Sequence, residues 1–512
     1  MAACVSGAWC YEQSGGAAGG ETGTVLTEKL RTLVPAALAG LCAFGLTLQM
    51  ESFSRQRIGL GILAVLLVSV ALLSRQPKAV LLFAGVVSFS HYRRYELPPI
   101  AGVEGLYWLP ADLCLLALWG LWAYEVIVLK RPLAPHGPAL WRWGGLWAFV
   151  LIVSAAQADE TWRSAGELLR LWKVLLILLF CRYNLGRREW WACAAALGLS
   201  ACLQGALGVI QVATGKLLPP QEEGAWIRAF GTMPHPNVLA SFLLLVSPML
   251  LALLVGARRP VLRAACALGA LPAFLGLGLT LSRWPWALAL MQAGLVMAAF
   301  TALGVLRLKH VIGAISVGTV VLVILLLPFR QRIIDRFTGD LRASIEFRSE
   351  LGEIALQMVS QRPFFGVGLN SFTNHLVRLA PQYGPEAEQA EQRVQKGTRV
   401  PMVVHNLYLL LLAETGILGL GAFVLFLLKA LGSGVRAIRS SGGAVRNASL
   451  GLLIGMVGVL GHMMTDFTLW FEPVLFSFAL VAGMLNNVSA LADSPADNAA
   501  GRRRFHAEVL AT

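Results

Sequence analysis

Four short stretches of the chain hold the side chains that could do chemistry. They are Arg228-Ala-Phe-Gly-Thr-Met-Pro-His235-Pro-Asn237, then Leu279-Thr-Leu-Ser282-Arg283-Trp284-Pro-Trp286, then Arg348 with the turn Arg362-Pro-Phe-Phe-Gly366-Val-Gly368-Leu-Asn370-Ser371-Phe372, and finally His405-Asn406-Leu-Tyr408 followed by Glu414-Thr-Gly416. A histidine ionises near neutral pH, so His405 is suited to take a proton from a sugar hydroxyl. Arginine offers a planar fork of donors that fits phosphate oxygens, and two arginines beside such a base could hold a phosphate leaving group. Each stretch also has a plainer use. His235 or Asn237 can cap the helix that follows, Arg283 can anchor at a membrane surface beside Trp284 and Trp286, and Gly366 and Gly368 suit a helix-ending turn. Glu414 lies about half a turn around a regular helix from His405, so it reaches the histidine only if the helix breaks near Gly416; its simpler reading is structural.

The elements that must position these residues are membrane helices. Of the 512 residues, 57% are hydrophobic and 14% charged, where a soluble domain carries roughly 25% charged residues. A soluble globular protein is excluded. The 52 glycines are spread through apolar stretches with no short period, which excludes a collagen-like repeat and a disordered polymer. Eight cysteines, from Cys4 to Cys266, form no CxxC pair and no Cys/His cluster at metal spacing, so a disulfide framework, a metal site or another cofactor is not expected. Residues 1–28 are rich in Gly, Ala and Ser and lack a basic segment before an apolar core; they read as a disordered cytoplasmic tail, not a cleavable signal.

A span needs about 20 apolar residues. Candidates fall at 33–50, 58–74, 79–91, 106–129, 143–157, 166–181, 190–213, 236–256, 262–281, 284–305, 310–328, 403–430, 448–465 and 470–489. Two are short, so the expected fold is all-α with about 12–14 transmembrane helices. The organisation read from this is a tail at 1–28, helices 1–11 within 29–328, an extracytoplasmic loop at 329–402, C-terminal helices within 403–490 and a second cytoplasmic tail at 491–512. With the N-terminus inside, the cytoplasmic connections hold 22 Lys and Arg against eight on the other side, as the positive-inside rule requires. The net charge of +14 is therefore a signature of topology, and nucleic acid is not an expected partner.

Loops as long as 329–402 usually carry function. Within it, Leu341–Ser360 has the pattern of an amphipathic helix, with Leu341, Ile345, Phe347, Leu351, Ile354, Ala355, Met358 and Val359 on one face and Glu346, Glu350, Glu353 and Gln357 on the other. At about 100° per residue Arg348 falls between Leu341 and Ala355 on the apolar face. All four stretches share the extracytoplasmic side.

From Arg228 to Leu431 these residues resemble the bacterial O-antigen ligase and polymerase superfamily: the His-Pro-Asn turn, the Thr-Leu-Ser-Arg283 turn, the Arg348 helix leading to Gly-Val-Gly-Leu-Asn-Ser-Phe, and His-Asn-Leu-Tyr-x5-Glu-x-Gly. Where family sequences often have Ser-Arg-Gly, this chain has Ser282-Arg283-Trp284-Pro285. The resemblance implies a helical glycosyltransferase fold of the C type in the bacterial cytoplasmic membrane, with its active site facing outward. It implies a donor glycan on undecaprenyl diphosphate and, as acceptor, lipid A-core or another glycan. Arg283 and Arg348, with Arg228 next in line, would hold the diphosphate, and His405 would serve the acceptor hydroxyl; His235, Asn237, Asn406, Tyr408 and Glu414 are secondary candidates. Such a reaction would be inverting and metal-independent. A polymerase using a second lipid-linked repeat is the alternative, and a small-anion transporter, marked by charges or broken helices in mid-membrane, is the alternative of another class.

Overall fold

The computed structural model describes residues 76–90, 95–96, 107–133, 135, 137–159, 161–217, 227–307, 342–379 and 403–492, with scattered positions between 309 and 334. The expected spans 33–50 and 58–74, and the tail at 1–28, lie outside the described residues, as does nearly all of the tail at 491–512. The helices are α1 (Pro77–Phe89), α2 (Pro110–Ile127), α3 (Leu140–Ala155), α4 (Thr161–Asn184), α5 (Arg187–Thr214), α6 (Pro236–Gly256), α7 (Pro260–Leu279), α8 (Arg283–Ala302), α9 (Arg342–Gln361), α10 (Phe372–Leu379), α11 (Leu407–Ser440), α12 (Gly443–His462) and α13 (Glu472–Ala492). Each expected span between 79 and 305 and between 403 and 489 coincides with one of them. Among the described residues six helices, α5 to α8, α11 and α12, are long and apolar enough to cross a membrane, and α1, α3 and α13 are shorter apolar helices. The protein is an all-α polytopic membrane protein; the described residues also include a two-residue antiparallel pair, Tyr95–Glu96 with Tyr107–Trp108.

Two of the boundaries that differ from the hydropathy reading have local reasons. The span expected from 106 begins as helix only at Pro110, because Tyr107 and Trp108 are paired as strand and Pro110 at the first turn has no N–H to leave unmet. The span expected to end at 430 continues as α11 to Ser440, carrying Lys429, Arg436 and Arg439 along the helix. Lys429 lies over the Trp143 ring at 4.8 Å and Arg436 donates to Ser433 Oγ at 2.7 Å, so charge does not end this helix.

At the centre lies α6, almost wholly buried from Val238 to Leu250. Lipid is as apolar as leucine, so helices in a membrane are held together by close packing and hydrogen bonds, not by exclusion of water. Both are present. Gly451 and Gly455 on α12 bring its backbone against Met249 and Leu245 of α6, and a Cβ at either would overlap that backbone. Pro248 inside α6 cannot donate to the Leu244 carbonyl, and Gln292 Nε2 of α8 donates there instead at 3.0 Å, and to Ile454 O of α12 at 3.1 Å. Pro272 of α7 frees the Leu268 carbonyl in the same way, and Cys202 Sγ of α5 faces it at 3.6 Å. Two charge pairs lie within α2 and α4: Lys173 with Asp112 at 2.8 Å, and Arg170 with Glu167.

Candidate active site

At one end of the bundle the chain before α6 runs Pro234-His235-Pro236, and the two prolines hold it extended into the helix start. His235 is the N-cap: its Nδ1 accepts from the Asn237 N–H at 3.2 Å. Asn237, one residue into the helix, is not used for capping. Its Nδ2 donates to Asp466 Oδ2 at 2.6 Å, and its Oδ1 accepts from Ser282 Oγ at 2.7 Å and Arg228 Nη2 at 3.1 Å.

Arg228 reaches this point from the segment preceding α6, where the Ala229 N–H donates to Leu279 O at 2.9 Å. Its Nε donates to Thr280 O at 2.7 Å and its Nη2 also to Ser282 Oγ at 2.9 Å, so the guanidinium clasps the turn between α7 and α8. That turn passes through Leu281 at φ 51° before Ser282, which stands at the N-cap position of α8 without a side-chain cap bond. Pro285 sits within the first turn of α8, where helix N–H groups have no partner in the helix, so the Trp-Pro departure from the family pattern fits the helix start. Arg283 is the first residue of α8 and half-buried, and Trp284 Nε1 donates to Gly461 O at 3.2 Å, joining this turn to the end of α12.

The turn after α12 supplies an acidic residue that was not among the expected catalytic and diphosphate-binding residues. Asp466 is 3% exposed, its Oδ1 accepts from the Phe467 N–H at 2.8 Å, and the same Oδ1 faces His405 Nδ1 at 3.8 Å. His405 Nδ1 is buried and has no hydrogen-bond partner among the described residues. The imidazole meets the Phe467 ring edge-on, with centroids 5.8 Å apart. Asn406 caps α11, accepting from the Leu409 N–H at 3.1 Å, and the Leu407 N–H donates to Met463 O and Asp466 O at 3.0 and 3.1 Å. Tyr408 donates its hydroxyl proton to Leu460 O at 2.9 Å. The Leu407 N–H and the Tyr408 hydroxyl thus pin the start of α11 to the end of α12, which fixes His405 beside Asp466.

Burial opposes the charge on Asp466, but attraction from His405 and His462 and the Phe467 N–H outweigh it and hold the carboxyl below the usual carboxylate range. It is an anion at neutral pH. Arg228, Arg348 and the Asp466 carboxylate all act electrostatically on His235, which puts Arg348 within electrostatic reach of this cluster. Arg348 shares its face of α9 with Leu351, Ala355 and Met358, as expected, yet it lies one turn before the buried stretch and is exposed.

Glu414 is placed elsewhere. Gly416 breaks α11 at φ 67°, ψ −173°, and a Cβ there would overlap the Phe364 carbonyl; Gly366 in turn lies against the Glu414 backbone. The Val367 and Gly368 N–H groups donate to Ala413 O and Glu414 O, each at 3.0 Å, and the Glu414 carboxylate accepts from the Phe372 N–H at 3.0 Å. The helix break thus lets the 362–372 turn clip onto α11, and Glu414, just before the break, bonds the start of α10.

Residues 268–424 match the sequence model of the family described as O-antigen ligase. This segment, about a third of the chain, is similar to that family. No curated protein matches the chain. The match supports a membrane enzyme of the ligase or polymerase type. The matched segment includes Arg283, Arg348, His405 and Glu414, while Arg228, His235, Asn237 and Asp466 come from outside it. Asp466 stands in a short turn of Met and Thr between two spans; the signal that could have found it is that a buried aspartate in such a turn requires partners.

Proposed function

We propose that the protein is a ligase-type glycosyltransferase that moves a glycan from undecaprenyl diphosphate to an acceptor hydroxyl at the outer face of the bacterial cytoplasmic membrane. The observation that carries this reading is His405 held at the start of α11 beside the Asp466 carboxylate, in the same cluster as Arg228 and within reach of Arg348. Asp466 faces Nδ1, which leaves Nε2 to take the acceptor's proton. As that proton moves to His405, the acceptor oxygen bonds to C1 of the donor sugar, the C1–O bond to phosphate breaks, and the electron pair leaves with the diphosphate. Negative charge grows on the diphosphate, where guanidinium forks stabilise it. Attack from the face opposite the leaving group inverts C1. Arg283 and Arg348 are the arginines assigned to the diphosphate; Arg228, whose Nε and Nη2 are engaged with the turn, supports them. The Lys and Arg bias of the connections supports an outward-facing site and cytoplasmic termini.

Purified protein in detergent, given lipid-linked glycan and a lipid A-core acceptor, should yield a glycosylated acceptor with inverted anomeric configuration by NMR, and His405→Ala should not. Chain growth on a second lipid-linked repeat instead would make it a polymerase. The matched charges Asp112–Lys173 and Glu167–Arg170 are the feature an anion carrier would use. Anion uptake by proteoliposomes without glycan transfer would replace the enzyme reading with that one.

A further inference from the structure

We infer that Asn237 is a positioning residue that couples the arginine turn of α7–α8 to the carboxylate beside His405, an inference that rests on the ligase reading. Its carboxamide joins two groups of opposite demand. Asp466 is an anion and needs a donor, which Nδ2 supplies at 2.6 Å; Arg228 and Ser282 bring donors and need an acceptor, which Oδ1 supplies. An amide is the side-chain group that can do both in one fixed orientation. With Phe467 N–H on Oδ1 and Asn237 on Oδ2, both carboxylate oxygens of Asp466 are tied, and the direction in which Oδ1 faces His405 is set.

The other end of the link is Ser282, next in the chain to Arg283. A diphosphate drawn onto Arg283 loads the Ser282 turn, and the load passes through a 2.7 Å and a 2.6 Å hydrogen bond to Asp466. Donor binding and base orientation are then one event. Leucine at 237 would remove both links at similar size. Aspartate would set a second carboxylate against Asp466, which two neighbouring anions resist; once protonated, its O–H can donate to Asp466 while its carbonyl accepts from Arg228, restoring the pattern.

The test uses the full chain in nanodiscs, as wild type, Asn237→Leu and Asn237→Asp. For N237L, kcat should fall about 10²-fold, as expected for a displaced reacting group, with KM for donor and acceptor little changed. The rate of N237D relative to wild type should rise about tenfold between about pH 8 and about pH 6 as its carboxyl takes up a proton, while the N237L ratio stays flat. Unchanged kcat in N237L, or N237D following wild type at every pH, overturns the inference. Should N237L fail to fold, the pH profile of N237D decides. A separate readout, carbethoxylation of His405 by diethyl pyrocarbonate followed by mass spectrometry, should change in N237D relative to wild type while that of His375 does not; equal His405 reactivity overturns the coupling. If wild type transfers no glycan, the ligase reading falls, and the His405 reactivity still accepts or rejects the link through Asn237.

Discussion

His405 Nδ1 faces Asp466 Oδ1 at 3.8 Å, across a turn that joins α12 to α13, sixty-odd residues from the histidine in the chain. The distance is longer than a hydrogen bond. A shift of less than an ångström would close it, and protonation of the imidazole would favour that shift.

Replacing His405 by alanine should therefore abolish transfer without unfolding the protein. Its ring is about a third exposed, so little packing is lost, whereas a positioned base contributes about 10² to 10⁴ in rate. Complementation of a deletion strain reads this directly, and near-normal surface glycan would remove His405 from the mechanism.

Asp466→Asn should lower kcat by about 10² or more, since an amide cannot supply the charge that stabilises imidazolium. The same residue makes stability depend on pH. Its folded pKa is depressed, so its contribution is present above the unfolded value of about 3.9 and is lost as pH falls through the lower folded value. Acid melting curves of D466N and wild type should converge as the pH is lowered; curves separated by a constant amount would show that the carboxylate charge is not the stabilising feature.

Arg283→Lys and Arg348→Lys should each fail, although charge is kept. A lysine ammonium is a point donor and does not reproduce the guanidinium fork on a diphosphate. Binding of undecaprenyl diphosphate should weaken in both variants. Lysine variants as active as wild type would move the diphosphate to another site.

Activity should survive EDTA. Among the described residues no group of three His, Cys, Asp or Glu side chains is placed to hold a metal ion, and Asp466 is engaged by Asn237 and Phe467. Asp335 and Asp340 lie outside the described residues. Magnesium can bind through one or two carboxylates plus substrate phosphate, so transfer lost on chelation and restored by magnesium would assign diphosphate stabilisation to an ion.

Gly416→Ala should cost about 3 kcal/mol or more, because its φ and ψ lie in a region essentially reserved for glycine and its Cβ would overlap the Phe364 carbonyl. Gly421→Ala, with nothing near the added carbon, is the control. Thermal melting in detergent should separate them, and equal midpoints would mean that the clip between α11 and the 362–372 turn carries little stability.

Much of the fold was legible in the sequence because a span is a long signal: about 20 apolar residues in a row leave little freedom. The loop helix was legible from its period, and Arg228, His235, Asn237 and His405 do meet at one end of the bundle. Shorter signals were less readable. The reach of α11 to Ser440 was hidden because Lys429, Arg436 and Arg439 read as a connection, while a helix can carry its charges past the membrane by resting them on Trp143 and Ser433. Asp466 has no period and no neighbouring motif, and its meaning comes only from side chains brought to it by α6 and α11. Spacing did set Glu414 about half a turn from His405, but it did not announce that the break at Gly416 would seat the 362–372 turn.

The bond from Gln292 to the carbonyl that Pro248 leaves open also orders events in time. As the chain is synthesised, α6 emerges before α8, and until residue 292 arrives the Leu244 oxygen has no protein donor from that quarter. In hydrocarbon such an oxygen costs several kcal/mol. The central helix is thus incomplete as a membrane segment on its own and becomes complete only by association. The proline that weakens α6 in isolation makes its assembly with α8 and α12 selective, and a chain stopped between the two helices would present an unfinished surface to the machinery that inspects membrane proteins.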